Sequence, residues 1–207
     1  MHIDDFDASP NLVALFLSRA DELGDKPFLT AKRDGVWQSI TWAEAAREVC
    51  LVSESLLKMG LKKGDRVVLV SENRPEWCLA DLAIMAAEMV SVPAYITNTG
   101  RDHTHILENA GAAAVIVSDA KLAKPLLPAV MGADKVRHLI TFENFKLPQL
   151  GSADAHLWAS LLAGDAVAAR AAVDARVANI KRSDLACVIY TSGTGGAPRG
   201  VMQHHGM

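Results

Sequence analysis

Ten residues, Thr191-Ser192-Gly193-Thr194-Gly195-Gly196-Ala197-Pro198-Arg199-Gly200, carry the densest set of hydrogen-bond donors in the chain. Gly193, Gly195, Gly196 and Gly200 let a backbone turn tightly and aim its N–H groups inward. Thr191, Ser192 and Thr194 add hydroxyl groups, and Arg199 adds a planar cationic fork. Such a set suits a polyphosphate. The spacing excludes two common phosphate loops. Val201 follows Gly200 where G-x-x-x-x-G-K-[ST] needs lysine, and Pro198 falls on the third glycine of the dinucleotide fingerprint. A G-x-S-x-G nucleophile elbow is also missing. A cluster of Gly, Ser and Thr near a chain end also fits a plain tail. Its place directly after an apolar strand, Leu185 to Thr191, favours a site, because open α/β sheets bind ligands at the carboxyl ends of their strands.

Other groups are weaker candidates. His205 stands just past the loop, and its neighbour His204 cannot share a ligand with it. His103 and His105 are two apart on an expected helix and point to different faces, so surface or capping roles are expected. Glu72, Asn73, Arg74 and Glu76 follow a strand, where helix capping is the simpler reading. Three cysteines, Cys50, Cys78 and Cys187, form no C-x-x-C pair and give no zinc or disulfide framework. Cys187 is expected to be an inert buried thiol, and Met59, Met85, Met89 and Met131 to fill gaps in the core.

The elements that must hold the loop can be read from periodicity. Ser9 or Asn11 caps a helix that ends near Leu23 and Gly24, and two short strands flank a turn at Asp34 and Gly35. Thr41 and Glu44 form a capping box that opens a helix with Trp42, Ala45, Ala46, Val49, Val52 and Leu56 on one face. From Gly64 onward short apolar strands alternate with helices: RVVLV, a deeply apolar helix after Pro75, VSVPAY, a helix capped by Thr99, AAVIVS, a helix near 119–131, and VRHLITF. This alternation predicts an α/β fold with a mostly parallel sheet and helices on both faces. Residues 144–182 are expected to be irregular, then helical, and 183–207 to form the last strand and the loop.

Composition narrows the function classes. The chain has 207 residues, half of them apolar, and a net charge of −3. It has no basic stripe, which argues against nucleic acid as a partner. The N-terminus is acidic where a secretory signal would be basic and then apolar. The longest apolar run is shorter than the roughly 20 residues that span a bilayer and is interrupted by Asp81 and Glu88. These features predict a cytoplasmic protein, with peripheral membrane contact left open; they leave its oligomeric state undetermined.

The stretch DLACVIYTSGTGGAPRGVMQHH resembles the phosphate-loop signature of the adenylate-forming, AMP-binding enzymes, usually written YTSGTTGxPKGV. That family includes acyl-CoA synthetases, luciferase-type proteins and peptide-synthetase adenylation domains. The segment RVVLVSENRPEWCLADLAIMAAEMVSVPAY is similar to the long-chain fatty acyl-CoA synthetase branch. The resemblance implies a two-step ligase using ATP, Mg²⁺ and coenzyme A, which forms an acyl adenylate from a fatty acid and then an acyl thioester. It implies that Thr191, Ser192, Gly193, Thr194, Gly195, Gly196, Arg199 and Gly200 hold the β- and γ-phosphates, and that His205 lies near the carboxylate and acyl pocket.

Three departures from the pattern matter. Gly195 replaces a threonine, a loss worth roughly 0.5–1.5 kcal/mol. Arg199 replaces a lysine and keeps the charge. The family's adenine, ribose and magnesium motifs and its catalytic lysine do not occur in the chain. Residues 1–207 are therefore expected to be the N-terminal portion of an AMP-binding domain, inactive alone. A non-catalytic binding or scaffolding module, or an adenylate former for an aryl or amino acid, are the alternatives.

Overall fold

A computed structural model describes residues 8–191 and 198–206. The chain begins with α1 (Leu12–Leu23), whose cap is Asn11: its Oδ1 accepts from the Ala14 N–H at 2.8 Å. Buried Asn11 also donates from Nδ2 to the Val177 and Ile180 carbonyls at 3.0 and 3.1 Å, so one side chain caps α1 and ties it to a segment late in the chain. Strands β1 (Pro27–Arg33) and β2 (Val36–Thr41) form a separate antiparallel hairpin. Its turn places Asp34 at φ 50° and Gly35 at φ 81°. The capping box at Thr41 and Glu44 forms as expected and opens α2 (Trp42–Lys58).

The alternation then builds β3 (Arg66–Val70), α3 (Pro75–Ala86), β4 (Val90–Ala94), α4 (Gly100–Ala110), β5 (Ala112–Val117), α5 (Ala120–Gly132) and β6 (His138–Thr141). Two elements were not anticipated. Asp154–Leu157 forms a short edge strand, β7, parallel to β6. Arg199–His204 forms β9, which returns antiparallel along β8 (Leu185–Thr191). Between β7 and β8, a single turn, α6 (Trp158–Leu161), is followed by α7 (Ala166–Val177), which takes up most of the Ala-rich stretch.

The main sheet has seven strands in the order β7-β6-β5-β3-β4-β8-β9, all parallel except the last pair. Pleating sends Val67, Leu69, Ala114, Ile116 and Ile140 toward α1, α2, α3 and α7, forming one core. Val68, Val70, Val115, Val117 and Leu139 face α4 and α5, forming the second. Continuous apolar strands covered on both faces are what a parallel sheet requires. Met85 and Met89 are buried as expected, but Met131 is 51% exposed because it lies on the outer side of α5. Cys187 is only half-buried, on the thinly covered β8, although burial still pushes its thiol pKa up.

Candidate functional site

The glycine-rich stretch is the connection of a β-hairpin. β8 brings the chain to the carboxyl end of the sheet, residues 192–197 follow, and β9 leads back, with Thr191 and Arg199 paired across the two strands. Ser192, Gly193, Thr194, Gly195 and Gly196 lie outside the described residues. The two flanking members of the expected set are thus brought together. Both are exposed, and Arg199 has no carboxylate partner among the described residues.

Gly200 has a steric reason to be glycine. A Cβ built there would lie 2.7 Å from Val188 Cγ1 and 3.3 Å from Tyr190 Cζ, so the hairpin closes over the Tyr190 ring only because that space is free. Tyr190 is buried and donates from its hydroxyl to Asn109 Oδ1 at 2.6 Å. His105 donates from Nε2 to the Pro198 carbonyl at 2.8 Å and meets the Tyr190 ring edge-on. His105 and Asn109 lie one turn apart on α4, so a single helix face braces both ends of the loop.

α4 and the loop are far apart in sequence, and neither histidine keeps the surface or capping role expected of it. His103 is 1% exposed and held below the ordinary histidine range by burial. His105 is a loop brace. The i, i+4 spacing of His105 and Asn109 was visible, but nothing local showed what they would face.

His205 does not join the loop. β9 runs away from it, so His205 follows at the opposite end of the strand, roughly 20 Å away at about 3.3 Å per residue. Its backbone N–H donates to the Asp184 carbonyl at 3.1 Å, and its buried Nδ1 has no hydrogen-bond partner among the described residues. Burial lowers its pKa, with Asp184 opposing and His204 adding to the shift.

A second polar cluster occupies the carboxyl ends of β3, β5 and β6, beside a cleft of about 760 Å³. Arg74 spans Glu76 at 2.9 Å, Glu143 at 2.9 Å and Glu72 at 3.3 Å, and sits over the Phe142 ring at 5.4 Å. Glu76 also pairs with Arg33, and Ser118 donates to Glu72 at 2.6 Å. Burial disfavours the charged Arg74, but its bonds to Glu76 and Glu143 outweigh that and raise its pKa. Burial likewise opposes the charged forms of Glu72 and Glu76. Ser118 at Glu72, and Arg74 at Glu76, reverse the balance, so both carboxyls titrate below the ordinary range. Helix capping does not explain Arg74, which makes no side-chain cap bond to α3. The Arg74 donors are taken up by these carboxylates, so the cluster ties strand ends together.

Among the described residues, no group of three or more His, Cys, Asp or Glu side chains is placed to hold a metal ion, and no helix is long and apolar enough to cross a membrane.

The sequence profile of a family described as AMP-binding enzyme matches residues 16–207. The chain is 32% identical over 170 residues to the long-chain-fatty-acid–CoA ligase FadD15 of Mycobacterium tuberculosis, covering 81% of this chain and 26% of that protein. It is 26% identical over 192 residues to the long-chain-fatty-acid–CoA ligase ACSBG2 of Rattus norvegicus, covering 92% and 28%. The chain thus spans about a quarter of the length of these relatives. Among solved structures, the anthranilate CoA ligase AuaEII in complex with anthranoyl-AMP matches all of this chain and 37% of its own, with a TM-score of 0.77 at 21% identity. The N-terminal subdomain of NpsA from Klebsiella oxytoca matches 95% and 42%, with a TM-score of 0.64 at 21% identity.

Proposed function

Because the chain belongs to the AMP-binding enzyme family, we propose that it supplies the phosphate-binding hairpin of an ATP-dependent long-chain fatty acid–CoA ligase. The observation that carries this reading is the pairing of exposed Thr191 with exposed Arg199 at the carboxyl end of β8, with the loop root braced by His105 and Asn109. The choice of acid rests on the relatives named as long-chain-fatty-acid–CoA ligases.

In this reading a fatty acid carboxylate oxygen attacks the α-phosphorus of ATP, the bond to the bridging oxygen breaks, and pyrophosphate leaves. The thiol of coenzyme A then attacks the acyl carbonyl, and AMP leaves with the bonding electron pair. The chain's own contribution is electrostatic. The Arg199 guanidinium and the Thr191 hydroxyl meet the β- and γ-phosphates, Ser192, Gly193, Thr194, Gly195 and Gly196 enclose them, and Gly200 lets the hairpin close. No described residue is assigned to Mg²⁺ or to coenzyme A. His205, a strand's length away and enclosed, is given no part in holding the phosphates. We place the reaction in the cytoplasm, with the fatty acid drawn from solution or from a membrane surface.

The test is exchange of labelled pyrophosphate into ATP by the enzyme that carries this chain, at its native length, over a panel of carboxylic acids. Exchange dependent on long-chain acids is expected. Exchange with aryl or amino acids alone would move the protein to another branch of the family. No exchange with any acid, with ATP still bound, would make the hairpin a binding device without catalysis.

A further inference from the structure

At the sheet edge opposite the hairpin, two histidines meet across the last parallel pair. His138 opens β6 opposite Asp154, and His156 lies two residues further along β7, on the same face. Their facing nitrogens, His138 Nδ1 and His156 Nε2, are 3.2 Å apart, with ring centroids separated by 5.3 Å. His138 is 8% exposed, whereas His156 is half-buried and open to solvent on one side.

We propose that His138 and His156 form a surface site for a borderline divalent transition metal such as Zn²⁺ or Cu²⁺. Zinc–imidazole bonds of about 2.0–2.1 Å to nitrogens 3.2 Å apart subtend roughly 100° at the metal, close to the tetrahedral angle. The protons rearrange without loss. One ring now donates to the other; moving the donor ring's proton to its far nitrogen leaves both facing nitrogens with lone pairs for the metal.

The local charge permits a cation. Asp154 shares the face, and Arg137, the residue before His138, is tied to Asp65 at 2.8 Å. Because no third protein ligand is in place among the described residues, water completes the coordination and the ion exchanges readily. Binding pins the four-residue edge strand β7 to β6. The site is separate from the nucleotide hairpin, so the proposal does not depend on the enzymatic reading.

Calorimetric titration of the metal-free chain with Zn²⁺ at about pH 7.5 is the test. One site with a micromolar dissociation constant is expected, accompanied by a rise in melting temperature. His156→Gln, which can still hydrogen-bond and occupies a half-exposed position, is expected to weaken binding by at least about tenfold while keeping the circular dichroism spectrum of the parent. His204→Gln, at the far edge, is expected to bind as the parent does. Loss of the zinc site in His204→Gln, full affinity in His156→Gln, or no heat up to millimolar Zn²⁺ would each overturn the proposal.

Discussion

Replacing Arg74 by methionine tests whether the carboxylates around it are held by that one guanidinium. Met keeps much of the side-chain volume and can stay against Phe142, so the change isolates charge and hydrogen bonding. Glu143 and Glu72 are 55% and 43% exposed at their side chains, and their pairs contribute on the surface scale of roughly 0.2–1 kcal/mol each. Glu76, at 14%, is the costly one to strand. Removing one partner of a fully buried pair costs about 3–5 kcal/mol. Glu76 retains Arg33, which lowers the expected total to about 2–3 kcal/mol. For a chain of this size that corresponds to a fall in melting temperature of roughly 5–10 °C.

The sign with pH follows from linkage. Glu76 is depressed below its reference value of 4.5 in the fold, so its contribution is present above that value and is lost as pH falls through the folded pKa. In Arg74→Met, burial is opposed less and the carboxyl titrates higher. The difference between parent and variant is therefore largest near neutral pH and narrows below about pH 4.5. Urea unfolding followed by circular dichroism from neutral pH to about pH 3 measures it. A difference under about 0.5 kcal/mol at neutral pH, or one that stays constant into acid, would refute the argument.

Three further outcomes are expected. Gly200→Ala places a methyl 2.7 Å from Val188 Cγ1, and the overpacking should cost about 1–3 kcal/mol in thermal unfolding; a neutral result would show that the hairpin closes otherwise. Glu88 sits at φ 57° after α3, where glycine is favoured, and its half-buried carboxylate pairs with Lys63, so in Glu88→Gly the relieved strain and the lost pair should offset and change stability by less than about 1 kcal/mol in urea titration. His103, His138 and His205 are all lowered in the fold, chiefly by burial, so the unfolded chain takes up protons first; in metal-free buffer the urea midpoint should decline as pH drops below about 6.5.

The parts of this fold that were legible in sequence are those governed by local rules. Thr41 and Glu44, and Thr99 and Asp102, announce their helices through reciprocal caps that form as read. The runs Val67–Val70 and Ala112–Val117 are apolar throughout because both of their faces are covered, and that too is readable. β9 escaped because Arg199–His204 mixes polar and apolar residues without alternation and is mostly exposed, and its pairing is fixed by β8. β7 escaped for the same reason: His156 finds His138 through sheet order, and nothing in DAHL alone predicts a strand.

The candidate site divides along the same line. Its donor residues could be read from type and spacing. The hairpin that sets Thr191 against Arg199, the brace from His105 and Asn109, and the length of strand that carries His205 away depend on pairing between distant segments. The exposure of Ile189, Val201 and Met202 on the outer hairpin is likewise a property of sheet order, not of their own segment.

In the proposed function the hairpin loop between Thr191 and Arg199 binds the phosphates of a nucleotide. Titrating ATP into the ¹⁵N-labelled chain while recording amide shifts tests it most directly, with Arg199→Met as the comparison. The account predicts saturable shifts concentrated in residues 191–200, and at least about tenfold weaker binding in the variant, the loss of one charge-assisted contact. Shifts centred on Glu72 to Glu76, or equal affinity without the guanidinium, would contradict it.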